Sequence, residues 1–125
     1  MSARAVDFSG LLLGNLQRVF GESDAARRSS AIRELYAPDA VLYQPDDIAT
    51  GHDAIAHAVS ALLSSLPPDF TFTALGPVVG HHGLARLRWS AGPPSGPVAV
   101  TGTDVARIER GVIQSLHVFL DPPGA

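Results

Sequence analysis

Apolar positions along this chain change their period part-way. Over the first half they recur at helical spacing, and over the last third they alternate as strands do. Residues 4–20 place Val6, Leu12, Leu13, Leu16, Val19 and Phe20 on a helical stripe. Gly10 and Gly14 each weaken that helix by about 1 kcal/mol relative to Ala, but they leave room for another element to approach closely. "GESD" breaks the chain, and Ser23 or Asp24 can cap a second helix over about 24–36. Its apolar face is Ala31, Ile32, Leu35 and Tyr36, and Pro38 is expected to end it. "AVLYQP" (40–45) reads as a short strand and "DDIATGHD" as a polar loop. In that loop Thr50, with Asp53 three residues on, resembles a capping box for a third helix over about 53–65. Strands follow at 70–75, 85–91, 98–108 and 112–121, separated by "GHHG", "GPPSG" and "RG". Helices first and antiparallel strands last predict an α+β fold, with the helices on one face of a curved sheet. Residues 1–125 read as one domain, without repeats or a linker.

The last two strands carry unexpected chemistry. "TGTDVARIERGVIQSLHVFLD" holds Asp104, His117 and Asp121 among apolar residues. If Arg110-Gly111 is a two-residue hairpin loop, Glu109 pairs with Val112, Asp104 with His117 and Val100 with Asp121. Opposed residues share a face. Alternation then sets Ile113, Ser115, His117, Phe119 and Asp121 against Val112, Gln114, Leu116, Val118 and Leu120. With apolar residues on both faces, the sheet needs two covers. The expectation is that the mixed face lines a cavity and that the apolar face (Leu116, Val118, Leu120, joined by Leu87 and Trp89) meets a second subunit. The reverse, with the apolar face on the helices and the mixed face toward solvent, fits the same alternation.

On the first assignment Asp104 and His117 form an acid–base pair, a carboxylate orienting an imidazole for proton transfer near neutral pH. An ion pair across the sheet is the plainer reading. Arg86 and Arg88 could anchor a carboxylate or an enolate, or lie on an exposed strand face. Tyr43 and Gln44 must point opposite ways, and Gln44 could donate to a substrate carbonyl. None of the five histidines stands at a metal-ligand spacing, and no phosphate-binding or nucleophile-elbow motif occurs, so neither metal nor cofactor is expected.

Composition narrows the classes further. The 125 residues are 46% hydrophobic and 17% charged, which supports a packed core. The net charge of −3, without a basic run, argues against a nucleic-acid partner. There is no cysteine, which excludes disulfides and a thiolate nucleophile. "GLLLG" is far too short for a signal peptide or a membrane span, so a cytoplasmic protein without membrane contact is the default expectation.

The order of elements, with "ELYAPDAVLYQP", "TGHDAI" and "GTDVARIERGVIQSLHVFLD", resembles the nuclear transport factor 2-like superfamily over about residues 10–121. The branch it is most similar to is that of SnoaL-like polyketide cyclases and ketosteroid isomerase-like proteins. The resemblance implies a cone of curved, mixed sheet wrapped around three N-terminal helices, with an apolar pocket. Asp104 in "GTDVARI" matches the protonated oxyanion-hole Asp of the isomerases, a carboxyl kept neutral by its apolar site. Gln44 stands where they have their catalytic Asp, and no Tyr stands in the first helix, where Leu16 lies in that region. Limonene epoxide hydrolase is similar at "ARLRWSAGPPSG" and "FLD". Its Arg falls on Arg86 and its closing Asp on Asp121, but Arg88 replaces its second acid. In the cyclases Asp121 and a His near Asp104 are the acid/base candidates, a neighbourhood where His117 supplies an imidazole.

The resemblance thus implies catalysis by Asp104, His117 and Asp121 on a small hydrophobic carbonyl compound. Gln44, Arg86, Phe119, Phe72, Tyr43 and Leu16 would contact the substrate. A non-catalytic ligand-binding or dimerisation module, and an epoxide hydrolase-like activity, are the alternatives.

Overall fold

The computed structural model describes residues 6–122; residues 4 and 5 of the first expected helix lie outside them. Helix α1 (Phe8–Gly14) is capped by Asp7, whose carboxylate accepts from the Gly10 N–H at 2.8 Å. The chain continues as a π-helical stretch over Asn15–Phe20. Leu12, Leu16, Val19 and Phe20 turn inward, and so does Asn15, a polar residue in the apolar stripe. Gly14 faces Leu35, and a Cβ there would lie 3.3 Å from its side chain. Asp24 caps helix α2 (Ala25–Leu35) by accepting from the Arg27 N–H.

The second helix ends before Pro38 is reached. Tyr36 is already extended, and strand β1 runs from Tyr36 to Gln44 straight through the proline. Pro38 is tolerated because the β1 ladder is irregular between Tyr36 and Val41, so no N–H is needed there. The expected polar loop contains strand β2 (Asp47–Thr50), a hairpin partner of β1. Helix α3 (His52–Ser64) starts from Gly51 at φ 89° without a side-chain cap, so Thr50 and Asp53 form no capping box.

Strands β3 (Thr71–Ala74), β4 (Val79–His81), β5 (Leu84–Gly92), β6 (Val100–Glu109) and β7 (Val112–Leu120) complete one seven-stranded sheet. Its order is β2-β1-β7-β6-β5-β3, with β4 also on β5. The β1–β7 pair is parallel and the rest are antiparallel, so the sheet is mixed and its edges stay open. The three helices pack inside its curve. Leu12, Leu16, Ile32, Ile55 and Val59 meet Leu42, Leu87, Ile113 and Leu116 in the core.

The β6–β7 hairpin corrects the expected register. Arg110 (φ 56°) and Gly111 (φ 81°) form the two-residue turn, and Glu109 pairs with Val112 as expected. One pair later the register slips. Ile108 faces Ile113 but Arg107 faces Ser115, which leaves Gln114 as the extra residue of a β-bulge. Beyond it Asp104 pairs with Val118, and His117 with Val105. A one-residue slip exchanges the faces, so Leu116, Val118 and Leu120 point inward with Leu87 and Trp89. His117, Phe119 and Asp121 point outward. The expectation that the Leu116–Val118–Leu120–Trp89 face meets a second subunit is therefore corrected: Leu116 and Trp89 are buried in the chain's own core.

Deleting Gln114 forces either Ile113 or the Leu116–Val118–Leu120 set outward. Each fully exposed side chain of this size costs about 1.5–3 kcal/mol. The urea midpoint of the deletion variant should fall accordingly; an unchanged midpoint would mean that the bulge does not fix the register.

Candidate functional site

Curvature of the sheet leaves a cavity of about 470 Å³ between its concave face and the helices. Phe20, Leu62, Phe70, Phe72 and Trp89 supply apolar wall, Asp104 and Gln44 are polar groups within it, and Asp46 of the β1–β2 turn and Asp47 at the start of β2 stand beside it. Parity explains the membership. Leu42 is buried, and Gln44 lies two residues on, pointing the same way. Phe72 pairs with Ala91 and Trp89 with Gly102, all on the inner face. Gly102 is required there: a Cβ would sit 2.5 Å from the Trp89 indole and 2.7 Å from the Phe119 carbonyl.

Asp104 is only 3% exposed. Trp89 Nε1 donates to its Oδ1 at 2.9 Å. Behind it, Tyr36 Oη donates to Asn15 Oδ1 at 2.5 Å, and both residues are fully buried. Asn15 Nδ2 lies on the Asp104 side, close enough to favour the carboxylate, but makes no hydrogen bond of its own. Burial penalises the ionised form more than Trp89 and Asn15 favour it, so the Asp104 pKa is pushed up to about 7. Burial, and secondly the Asp104 charge, hold the Tyr36 phenol well above its ordinary range.

The expected site residues divide between two places. Asp104, Gln44, Phe72 and Leu16 line the cavity. His117, Asp121, Phe119, Tyr43 and Arg86 do not. Asp104 and His117 are on opposite faces, because the Gln114 bulge breaks the register that would have paired them. His117 stacks on Tyr43 at 4.2 Å between centroids, and Phe119 continues the stack at 6.2 Å. Asp121 accepts from Thr101 Oγ1 at 2.5 Å and Arg88 at 2.8 Å, which hold its carboxyl below the usual range. These outward groups border a shallower groove at the sheet's rim, and Gln44, Val118 and Leu120 are shared between groove and cavity. Arg86 is exposed on the outer face, opposite Val105 and Val79.

Trp89, Asn15 and Tyr36 are the site residues that sequence reasoning missed. Asn15 had a signal, since it lies three residues after Leu12 and four before Val19 on the buried stripe. Trp89 had none until the register of β5 against β6 was known.

A family model for the SnoaL-like domain matches residues 17–116. The chain belongs to the SnoaL-like family. Among solved structures, a proposed isomerase of the SnoaL-like family from Agrobacterium tumefaciens str. C58 is 25% identical. That match covers 92% of this chain and 97% of the other, with a TM-score of 0.84. A proposed polyketide cyclase from Sinorhizobium meliloti is 21% identical over 90% of this chain and 95% of its own, with a TM-score of 0.69. A de novo designed protein with a curved β-sheet reaches 0.71 at 13% identity, over 95% and 89% of the two chains. Among curated proteins nothing matches. The SnoaL-like domain is thus an α+β cone of the nuclear transport factor 2-like type, and none of its described helices is long and apolar enough to cross a membrane.

The Asp104 shift carries a stability consequence. The folded chain holds this proton more tightly than the unfolded chain, whose carboxyl titrates near 4. The stability it contributes is therefore fully present below pH ~4 and is lost as pH rises to about 7. The loss is on the order of 4 kcal/mol. Asp104→Asn removes the titration, so urea denaturation at pH 5 and pH 8 should find the variant gaining on wild type at the higher pH. A pH-independent difference between the two proteins would count against a perturbed Asp104.

Proposed function

We propose that this SnoaL-like domain is an acid–base catalyst of the cyclase or isomerase type, acting on a small hydrophobic carbonyl compound, with Asp104 as its proton carrier. The observation behind this reading is a buried carboxyl with a pKa of about 7, set in the wall of an apolar cavity. Such a group is ionised often enough to accept a proton at neutral pH and acidic enough to return it. Trp89 occupies Oδ1, which leaves Oδ2 for substrate. In the proposed step Oδ2 takes a proton from the carbon beside the carbonyl. The C–H electron pair moves into the enolate, whose oxygen accepts from the Gln44 amide. Asp104 then delivers the proton to another carbon of the conjugated system, or the enolate carbon closes a ring on a second carbonyl, whose oxygen takes the proton back from Asp104 as its C=O π bond breaks. The apolar walls exclude water and strengthen these contacts.

His117 and Asp121 have no part in this chemistry, since both point away from the cavity. Deuterium uptake next to the carbonyl of a cyclohexenone in D2O, followed by NMR, is the test. Asp104→Asn should lower it by on the order of 10²–10⁴-fold, and His117→Ala should leave it unchanged. Binding of the ketone without exchange would instead favour a ligand-carrying module. Loss of exchange in His117→Ala would return the imidazole to the mechanism.

The reading includes a homodimer, now through the outer face. Phe119 is 55% exposed there beside the His117–Tyr43 stack, next to the rim groove that continues into the cavity. Light scattering at micromolar concentration should give twice the chain mass, and Phe119→Glu should halve it. A monomeric wild type would exclude this partner.

A further inference from the structure

Behind the main cavity lies a second one, of about 240 Å³, on the far side of Phe20, Leu66, Phe70 and Phe72. Arg28 of α2 reaches it and is only 6% exposed. Buried guanidinium groups are normally paired with a carboxylate, because desolvating an unpaired cation costs several kcal/mol. Among the described residues no carboxylate pairs with Arg28. Its Nη1 donates to the Glu22 carbonyl at 2.7 Å and its Nη2 to Ser60 Oγ at 2.9 Å. Its Nε makes no hydrogen bond.

A guanidinium carries five N–H bonds, so each Nη keeps one beyond those contacts. Around the same cavity stand the hydroxyl-bearing residues Ser23, Ser60 and Ser64. Glu22 also borders it, with Oε2 accepting from the Asp24 N–H at 3.1 Å, and it forms no ion pair with Arg28. A buried cation, hydroxyl donors and an aromatic wall together describe a receptor for an anionic group with a short apolar tail.

We propose that Arg28, with Ser60 and Ser64, forms a second binding site that takes a small organic carboxylate. The carboxylate supplies the missing counter-ion, and its few carbons lie against Phe70 and Phe72. A carboxylate suits the site better than phosphate, which is more strongly hydrated and gains nothing from those rings. The site shares a wall with the Asp104 cavity but none of its chemistry, so it stands or falls separately from the proposed reaction.

Thermal unfolding of the whole chain in sodium butyrate, acetate, phosphate or chloride at matched ionic strength tests the proposal. Butyrate should raise the midpoint by at least about 3 °C over chloride, with acetate doing less. Arg28→Gln should abolish the rise. Because that variant also loses two internal hydrogen bonds, Ser64→Leu serves as a second test: it fills the cavity mouth, keeps Arg28 tethered, and should abolish the rise as well. Equal midpoints in butyrate and chloride, or a rise that survives Ser64→Leu, would overturn the site. A rise with phosphate and none with carboxylates would overturn the choice of ligand.

Discussion

A carboxyl kept from water must hold its proton or be given donors, and Asp104 is balanced between the two. Trp89 supplies one full hydrogen bond to Oδ1, and a bond to an ionised group contributes about 1.5–3 kcal/mol. Burial removes more than that, so the pKa settles near neutrality. Much of the nearby structure serves this balance. Gly102 clears space for the indole, the π-helical stretch carries Asn15 into the core, and Tyr36 fixes the Asn15 amide from behind. Two more donors would make Asp104 an ordinary inert carboxylate. None at all would leave it a neutral acid with no capacity as a base.

The geometry that brings Asp104 to the cavity depends on counting residues along a strand. Side chains alternate, so β7 can serve one face only if its residue count from the turn is right. Gln114 adds one residue and hands the remainder of β7 the opposite face. Leu116, Val118 and Leu120 then complete the concave wall, and His117, Phe119 and Asp121 are displayed outside. That single bulge converts an apparent Asp–His pair into two unrelated groups on opposite sides of the sheet.

This also marks the limit of what could be read from the chain. The α+β order, the Arg110-Gly111 turn and the cavity position of Asp104 were legible, because period, turn chemistry and family motif are local signals. The faces of β7 were not, since "GVIQSLHVFLD" alternates equally well with or without a bulge. Only the burial of Ile113 against Tyr36 and of Leu116 against Leu42 decides between them. Strand β2 was hidden for a related reason. "DDIATGHD" is polar because it forms a sheet edge, where Asp47 and Ile48 are exposed, and an edge strand needs no apolar alternation. Tertiary pairing made the strand where composition suggested a loop.

Neither the cone nor its cavity carries chemistry by itself. A designed curved sheet reproduces the architecture at 13% identity, so the shape is available to sequences with no shared ancestry of function. What distinguishes this chain is the set of polar groups admitted to an otherwise apolar interior. Asn15, Arg28, Ser90 and Asp104 are its buried polar residues among those described. Ser90 lies on the sheet's outer face, paired with Thr101 and Thr73. The other three face inward: two form one network around a carboxyl poised near neutrality, and the third is a cation without a carboxylate partner. Burying each of these groups costs stability that an apolar residue of similar size would not. A fold that needed only to close its core would have no reason to keep them, so function is better sought at these positions than in the outline of the sheet.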